Sequence, residues 1–196
     1  MSAFVVWLTG LPASGKSELA AELQQRLIEL GCATELIDSG KLRKTPLGQT
    51  LGFSKHDRET NVLRHGITAR LLTDNGVNAI VSAVSPYRSV RNAIREQISP
   101  FIEVYVSTPP EVCQQRDQNG HWQRAIAGEI EHFTGVSDPY EAPLSPEVTV
   151  DLTSTTITEA IEHVLIALEP LLIEVVTPSE STDIANKLAQ LGYSDN

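Results

Sequence analysis

The sequence predicts an α/β fold, in which a parallel sheet of about five strands carries helices on both faces. Three observations lead to this prediction. Short apolar runs of strand length recur along the chain, segments with helical apolar spacing separate them, and a glycine-rich loop joins the first run to the first helical segment. Strands that alternate with helices in this way form parallel sheets covered on both faces.

The predicted strands are recognised by their apolar and β-branched composition. The first is continuously apolar, as expected for a buried parallel strand, and its successors are of similar length. The five runs are FVVWLT (4–9), TELID (34–38), VNAIVSAV (77–84), FIEVYV (101–106) and VTVDL (148–152).

The predicted helices lie between these strands, and several have end signals. Gly31 closes the first helix, and Gly76 ends another that Ser54 caps, with Asp57 three residues after the cap. Thr108 and the two prolines after it introduce a further helix. The helical segments are 16–30, 56–76, 87–98, 111–116 and 157–168.

Two segments interrupt the alternation. Residues 117–147 are rich in Gly and Pro and only weakly periodic, and a loop of that length is usually functional or disordered. Residues 169–196 contain a second apolar patch and a short helical signal, which favours a docking or dimer element or a loosely held tail. We therefore divide the chain into a domain at 1–168 and a C-terminal extension at 169–196.

Composition excludes several classes of function. The 196 residues suffice for one well-buried domain, and a net charge of −10 disfavours a nucleic-acid partner. The absence of a long apolar run and of a basic leader leads us to expect no membrane association and a cytoplasmic location. Cys32 and Cys113 have no metal-type spacing, so we expect two reduced, buried thiols.

The loop after the first strand carries a phosphate-binding motif. GLPASGKS matches G-x-x-x-x-G-K-[ST] between a predicted strand and a predicted helix, the context that the motif requires. This predicts a P-loop NTPase fold in which Lys16 reaches the β- and γ-phosphates of ATP and Ser17 ligates Mg²⁺. The residues assigned to ATP are Gly10, Leu11, Pro12, Ala13, Ser14, Gly15, Lys16 and Ser17. Because no N-K-x-D signature is present, a GTPase is disfavoured, leaving a small-molecule kinase or a nucleotide-binding module without chemistry.

Basic residues are concentrated between Lys41 and Arg64, on an otherwise acidic chain. This stretch has six lysines and arginines but only two acids. Such a local excess favours a site for a small anion, although a solvated helix face would have the same composition.

Several longer phrases resemble one family of P-loop kinases. They are DSGKLR, LGFSKHDRETN, SAVSPYR, FIEVYVSTPPEVCQQRD and AGEIEHFTGVSDPYEAP, and the resemblance that they carry together with the loop runs from about Phe4 to Thr153. In these phrases the chain resembles adenylyl-sulfate kinase, which phosphorylates the 3′-hydroxyl of adenosine 5′-phosphosulfate (APS) to give PAPS. The resemblance implies ATP and APS as substrates, Mg²⁺ as cofactor, a homodimer and a candidate sulfurylase partner.

The resemblance also implies roles for individual residues. Phe53 and Phe133 would stack on the adenine of APS, and residues 117–141 would form a lid over both nucleotides. The residues that would hold the phosphosulfate and ribose are Arg43, Arg58 and Asn61, and Ser85 would lie at the acceptor site. Lys16, Asp38 and Ser85 are the catalytic candidates, and Arg124, the lid's remaining cation, is assigned to ATP.

The residue types support these roles without the family. Arginine binds phosphate or sulfate through two hydrogen bonds, and Arg58 and Asn61 lie three residues apart on one helix face. Phe53 and Phe133 lie in polar, glycine-flanked loops, which favours stacking on a base over core packing. Asp38 ends the second strand at the edge where ligands bind in parallel sheets, but a turn or helix cap would also suit it.

The chain departs from the family pattern at several places, one of which is an extra residue between Arg43 and Phe53. Where the family usually has D-G-D-x-x-R, Gly40 replaces the second aspartate, so the catalytic carboxylate would be Asp38 alone. Glu18 replaces a small hydroxyl residue, and the lid has fewer cations. Three hypotheses therefore remain: an APS kinase, a related kinase for another anionic alcohol, and a catalytically weakened nucleotide-binding homologue.

Overall fold

A five-stranded parallel sheet forms the centre of the protein. The computed structural model describes residues 3–46 and 48–173. The strands lie in the order β2-β3-β1-β4-β5, and every neighbouring pair is parallel, which confirms the predicted fold class. The strands are β1 Val5–Gly10, β2 Thr34–Asp38, β3 Asn78–Ser82, β4 Phe101–Val106 and β5 Val148–Val150.

Helices connect the strands, and the five predicted ones are present. The Ser54 hydroxyl accepts a hydrogen bond from the Asp57 backbone N–H at 3.2 Å, so this predicted cap is confirmed. Two short helices, α2 and α6, were not predicted, and a 3₁₀ turn covers Gly48–Thr50. The helices are α1 Lys16–Glu29, α2 Ser39–Leu42, α3 Lys55–Asp74, α4 Arg88–Arg95, α5 Pro110–Arg116, α6 His121–Ile126 and α7 Ile157–Ile173.

Both faces of the sheet are buried, because alternate residues of each strand point to opposite sides. On β1, Val6 and Leu8 pack among residues of α1 and α7. Val5 and Trp7 pack on the other side, among residues of α3 and α4. This double cover explains why β1 reads as a continuous apolar run.

The segment at 117–147 is irregular except for α6 and a single bridge between Thr134 and Asp138. The prediction of a continuous loop was therefore wrong at residues 121–126. The helix forms because Trp122 and Ala125, three residues apart, both bury their side chains, whereas the other α6 side chains are exposed.

The last described helix is longer than the sequence predicts. It continues beyond residue 168 to Ile173 despite Pro170, and Leu171 and Leu172 pack against the core. The boundary drawn between 168 and 169 thus falls inside α7. The helical signal DIANKLAQLGY lies outside the described residues.

Other expectations concern the thiols and the membrane. Cys32 and Cys113 are both buried and free, as predicted. Within residues 3–46 and 48–173, none of the helices has the length and apolar character needed to cross a bilayer.

Candidate active site

The phosphate-binding loop lies between β1 and α1, at the carboxyl edge of the sheet. Gly15 has a φ of 99°, and a Cβ there would lie 2.5 Å from Leu152 Cδ1, so a larger residue would disturb both the backbone and its packing. The Ser14 backbone N–H donates to the Leu11 carbonyl at 3.2 Å, which closes a turn. The loop therefore has the tight backbone that the motif predicts.

Lys16 is buried beneath this loop. Its ammonium donates to the Leu11 carbonyl at 2.7 Å and to the Ser14 hydroxyl at 3.1 Å. Burial disfavours the charged form and lowers the pKa of Lys16 to about 8, although the nearby groups of Cys113 and Asp38 oppose this shift. A dianionic phosphate beside the ammonium would raise this pKa again, which is the behaviour expected of a phosphate-binding lysine.

Ser17 exposes its hydroxyl at the same edge. Its Oγ lies 3.5 Å from Ser82 Oγ, at the end of β3. Ser82 is in turn the register partner of Asp38 on β2. Three oxygen-bearing side chains thus lie beside the phosphate loop, Ser17 in the first turn of α1 and Ser82 and Asp38 at the ends of β3 and β2.

A cavity of about 740 Å³ opens from the phosphate loop toward the start of α7. Its far side consists of residues that the sequence reasoning missed, although the Thr/Ser run at 153–156 follows β5 at the ligand-binding edge. These residues are Gln115, Arg116, Gln118, Leu152, Thr155, Thr156 and Ile157. Arg116 donates to the Leu152 carbonyl at 2.8 Å, which joins α5 to the β5–α7 connection. The cavity can accommodate the nucleoside of a nucleotide whose phosphates lie in the loop.

Asp38 is buried and caps α2. Its Oδ1 accepts a hydrogen bond from the Lys41 backbone N–H at 2.9 Å. The helix-cap alternative raised by the sequence is therefore real, and it occupies only one carboxylate oxygen. Gly40, in place of the family's second aspartate, is exposed, and a Cβ there would lie 3.2 Å from Asp38 Oδ1.

Arg43 and Arg58 both lie over the ring of Phe53. Their guanidinium carbons are 4.3 and 5.4 Å from the centre of the Phe53 ring, which is half exposed. Arg43 also donates to the carbonyls of Leu51 and Gly52 at 3.2 and 3.0 Å. Burial lowers the pKa of both arginines. At Arg43, the negative charge of Asp57 opposes this shift. The structure thus brings three predicted substrate residues together.

Arg58 extends this cluster to the lid. It donates through Nε to the Phe53 carbonyl at 3.0 Å and through Nη2 to the His132 carbonyl. His132 immediately precedes Phe133, so one buried guanidinium fixes the backbone of both loops that carry the predicted stacking rings. The sequence alone gives no sign of this link.

Phe133 and Trp122 anchor the lid on the phosphate loop. Their rings meet edge to face at 5.2 Å, and Leu11 and Ala13 pack against them. The Trp122 indole N–H donates to the Pro12 carbonyl at 3.1 Å. Phe133 is therefore mostly buried, whereas Phe53 is half exposed. Core packing, the other role considered for these rings from the sequence, thus applies in part to Phe133.

Ser85 is buried in the middle of the connection between β3 and α4. Its φ of 44° is unusual for a residue other than glycine. Its hydroxyl accepts from the Trp7 indole N–H at 3.1 Å, and its carbonyl accepts from Arg91 at 2.5 Å. A strained backbone fixed by surrounding contacts is a frequent feature of functional sites.

Arg91 was missed by the sequence reasoning. It forms a buried ion pair with Glu103 at 2.7 Å and donates to the Glu141 carbonyl at 2.7 Å. It thus connects the Ser85 turn, β4 and the end of the lid. A glutamate inside the apolar run FIEVYV was the available signal, because a buried carboxylate requires a cationic partner.

Asn61 lies on α3, one turn after Arg58. Its Nδ2 is 3.1 Å from Ser39 Oγ, at the start of α2, and 3.0 Å from His65 Nε2. Burial and, to a smaller extent, the charge of Arg43 lower the pKa of His65 to about 4, against the opposing effect of Asp38. Neither Ser39 nor His65 was singled out in the sequence.

Arg124, which the sequence assigns to ATP, does not line the cavity. It is more than half exposed on α6, and its Nε pairs with Glu129 at 3.2 Å. Its assignment to ATP stays a prediction.

Comparison with known proteins identifies the family. A family model described as adenylylsulphate kinase matches residues 2–151, which include every predicted site residue. The chain belongs to the adenylyl-sulfate kinase family. The resemblance noted in the sequence is therefore confirmed.

Members of this family match over most of the chain. The adenylyl-sulfate kinase of Rippkaea orientalis is 46% identical over 166 residues, which are 85% of this chain and 91% of that protein. The Mycobacterium tuberculosis APS kinase CysC, solved in complex with AMPPNP and APS, superposes with a TM-score of 0.80 at 37% identity, covering 86% of this chain and 98% of that one. A longer relative of Sorangium cellulosum, a probable bifunctional SAT/APS kinase, is 46% identical over 87% of this chain and 29% of its own length.

Proposed function

We propose that this chain transfers the γ-phosphoryl group of ATP to the 3′-hydroxyl of APS, giving ADP and PAPS. The observation that carries the proposal is that Arg58 joins the loops of Phe53 and Phe133 on the same sheet edge as the phosphate loop. Adenylyl-sulfate kinases that match most of the chain, one of them solved with AMPPNP and APS, support it.

The phosphate loop and its cavity would bind ATP. The backbone N–H groups of the phosphate loop, in which Pro12 alone lacks one, and the positive end of the α1 dipole favour the triphosphate, and Lys16 supplies a charge at its terminal phosphates. The nucleoside would occupy the cavity between Arg116 and Thr156.

The side chains at the sheet edge fit a divalent cation held mainly by phosphates. Among the described residues there is no group of three or more His, Cys, Asp or Glu able to cage a metal. The Ser17 hydroxyl is a hard oxygen donor, and Mg²⁺ in kinases typically takes only one or two protein ligands beside phosphate oxygens and water. Mg²⁺ bound there would neutralise charge on the phosphates.

The cluster of Arg43, Arg58 and Phe53 would bind APS. Phe53 offers an exposed ring for the adenine, and Phe133 would form the other side of the site from the lid. Arg43 and Arg58 would attract the phosphosulfate, since their charges lie in a partly buried site where attraction is weakly screened.

The transfer itself requires alignment more than covalent help. The 3′-oxygen of APS attacks the γ-phosphorus while the bond from phosphorus to the β,γ-bridging oxygen breaks, and ADP leaves. Asp38 would accept the hydroxyl proton through the carboxylate oxygen that does not cap α2. Lys16 would stabilise the negative charge of the transferred group, and Ser85 would contact the acceptor.

Four further assignments remain proposals. A homodimer is supported by an apolar stripe on α3, where Leu63, Ile67 and Leu71 are 42–62% exposed. A sulfurylase partner is supported by the longer relative that is called bifunctional. The cytoplasmic location and the docking role of residues 169–196 rest on the sequence alone.

Release of ADP tests the function directly. Purified full-length chain is incubated with ATP and Mg²⁺, with and without APS, and with AMP as a control acceptor that lacks the sulfate. We expect ADP release to require APS, and AMP to support little turnover.

The alternatives predict different results. If APS stabilises the protein against heat but no ADP forms, the chain is a nucleotide-binding homologue, as the loss of a carboxylate at Gly40 would favour. If APS neither binds nor reacts while ATP still binds, the acceptor is a different anionic alcohol.

A further inference from the structure

The hydrogen bonds around Asn61 determine how its amide is oriented. Its Nδ2 lies within hydrogen-bond distance of both Ser39 Oγ and His65 Nε2. An amide nitrogen has two N–H donors and cannot accept. His65 Nε2 must therefore be the acceptor, which leaves the ring proton on Nδ1.

Because both side chains are buried, water cannot easily replace either partner of the hydrogen bond between Asn61 and His65. Asn61 is 7% exposed and His65 is 4% exposed. An unpaired donor or acceptor in such a place costs its full desolvation penalty. The low pKa of His65, about 4, agrees with a ring that stays neutral and can accept.

With both N–H groups bound within the protein, Asn61 has only its Oδ1 to offer a ligand. No hydrogen bond to this oxygen occurs within residues 3–46 and 48–173. Asn61 follows Arg58 by one turn of α3, and Ser39 directly follows Asp38. The fixed amide therefore lies between two residues assigned to the acceptor nucleotide.

We propose that His65, together with Ser39, is a positioning residue that holds Asn61 as a hydrogen-bond acceptor for a ribose hydroxyl of the acceptor nucleotide. This inference rests on the proposed function. His65 does not touch substrate: it acts by accepting from Asn61, which makes the amide selective for a hydroxyl donor over an acceptor group.

Steady-state kinetics of four variants test the positioning role. His65→Leu removes the acceptor, and we expect the KM for APS to rise roughly tenfold, as for the loss of one buried hydrogen bond, with the KM for ATP little changed. His65→Gln keeps an acceptor oxygen and should recover most of the loss. In an Asn61→Ala background, His65→Leu should have no further effect on the KM for APS, because its target is gone.

Leu72→Ala is the matched control for lost packing. Leu72 lies eleven residues further along the same helix, and it packs against the part of the core that contains Val5 and Trp7. It should lower the melting temperature and leave the KM for APS unchanged. Equal effects of His65→Leu in the wild-type and Asn61→Ala backgrounds would overturn the proposal.

Nitrogen NMR of the imidazole gives a readout that does not depend on turnover. Long-range ¹H–¹⁵N correlation of the wild-type chain should show His65 with its proton on Nδ1 and a bare Nε2. A proton on Nε2 would mean that the amide is reversed and offers donors to substrate, and the proposal would fail. If wild-type chain shows the expected tautomer but no APS-dependent turnover, the proposed function is what fails.

Discussion

Asp38 combines two roles at the level of a single residue, and substitution can separate them. Asp38→Asn keeps an oxygen that can cap α2 but removes the charge, whereas Asp38→Ala removes both. We expect Asn to lower kcat by about 10²-fold or more with little change in melting temperature, since this is the range of general-base contributions. Asp38→Ala should lower both kcat and the melting temperature.

The measurement is kcat with saturating APS, beside thermal unfolding of each variant. An Asn variant with wild-type kcat would show that Asp38 is only a cap. In that case the chain would carry out the transfer without carboxylate help.

Arg58 should not tolerate lysine, although the charge is kept. Lysine cannot hold the carbonyls of Phe53 and His132 through one rigid fork, so the two loops would lose their common anchor. We expect the KM for APS to rise about tenfold or more in Arg58→Lys, as measured by ADP release. Arg70→Lys, at an exposed position of the same helix, is the control and should behave like wild type.

Sequence reasoning at this scale found residues whose chemistry is visible in their type and place. The phosphate loop, Asp38, Arg58 and Asn61 stand at predicted element ends or in charged clusters. It missed Arg91, His65 and Trp122, because their roles depend on partners 50 to 110 residues away or on burial that spacing cannot show. Hydrogen bonds of this kind arise only once the sheet has brought the segments together.

At the scale of elements, α6 is the anchor that attaches the lid to the phosphate loop. Trp122→Phe keeps most of the ring but removes the N–H that donates to Pro12. We expect a loss of about 1 kcal/mol in stability and a KM for ATP raised several-fold, because the loop loses a backbone contact. Ile126→Ala, an exposed residue of α6, is the control. An unchanged KM for ATP in Trp122→Phe would mean that the lid contact does not shape the loop.

Helix α3 should carry a pH dependence through His65. Its folded-state pKa is about 4 and its ordinary value 6.5, so between these pH values the unfolded chain binds more protons. The free energy of unfolding should therefore fall as the pH drops from 6.5 to 4, by up to about 1.4 kcal/mol per pH unit from this group. Arg43 and Asp38 act on the ring with opposite signs.

The contribution of His65 to stability is isolated by measuring the free energy of unfolding in denaturant across this pH range for the wild-type chain and for His65→Gln. The difference between the two chains should shrink steadily toward low pH. Parallel curves would contradict the assignment of a neutral, buried ring.

Helix ends were predictable where caps mark them and not where packing decides. Ser54 and Gly76 marked the ends of α3 correctly. The end of α7 was placed too early, because Pro170 interrupts the pattern whereas Leu171 and Leu172 still find the core. Tertiary packing there outweighs the local signal.

At the scale of the whole molecule, parallel topology explains why many of the predicted site residues lie at one edge of the sheet. All five strands point their carboxyl ends to that edge, so the phosphate loop, Asp38 and the Ser85 turn meet there. This much follows from the alternation of strands and helices. The strand order and the attachment of the lid do not, since both depend on long-range contacts.

The apolar stripe on α3 gives a prediction about assembly. If the chain is a homodimer through this stripe, wild type should sediment at about twice 21.4 kDa. Ile67→Glu would place a charge in the middle of the interface, and we expect it to sediment as a monomer at micromolar concentration. Lys55→Glu, also exposed on α3, is the charge control. A wild-type monomer, or a dimer that survives Ile67→Glu, would remove α3 from the interface.

The central claim is phosphoryl transfer to APS, and the most direct measurement follows the phosphorus itself. The chain is incubated with ATP labelled in the γ-phosphate, Mg²⁺ and APS, and the nucleotides are separated. We predict that the label appears in a nucleotide that keeps its sulfate and carries the new phosphate on the 3′-oxygen. Label that appears only as inorganic phosphate, or that stays in ATP although APS is bound, would contradict the account.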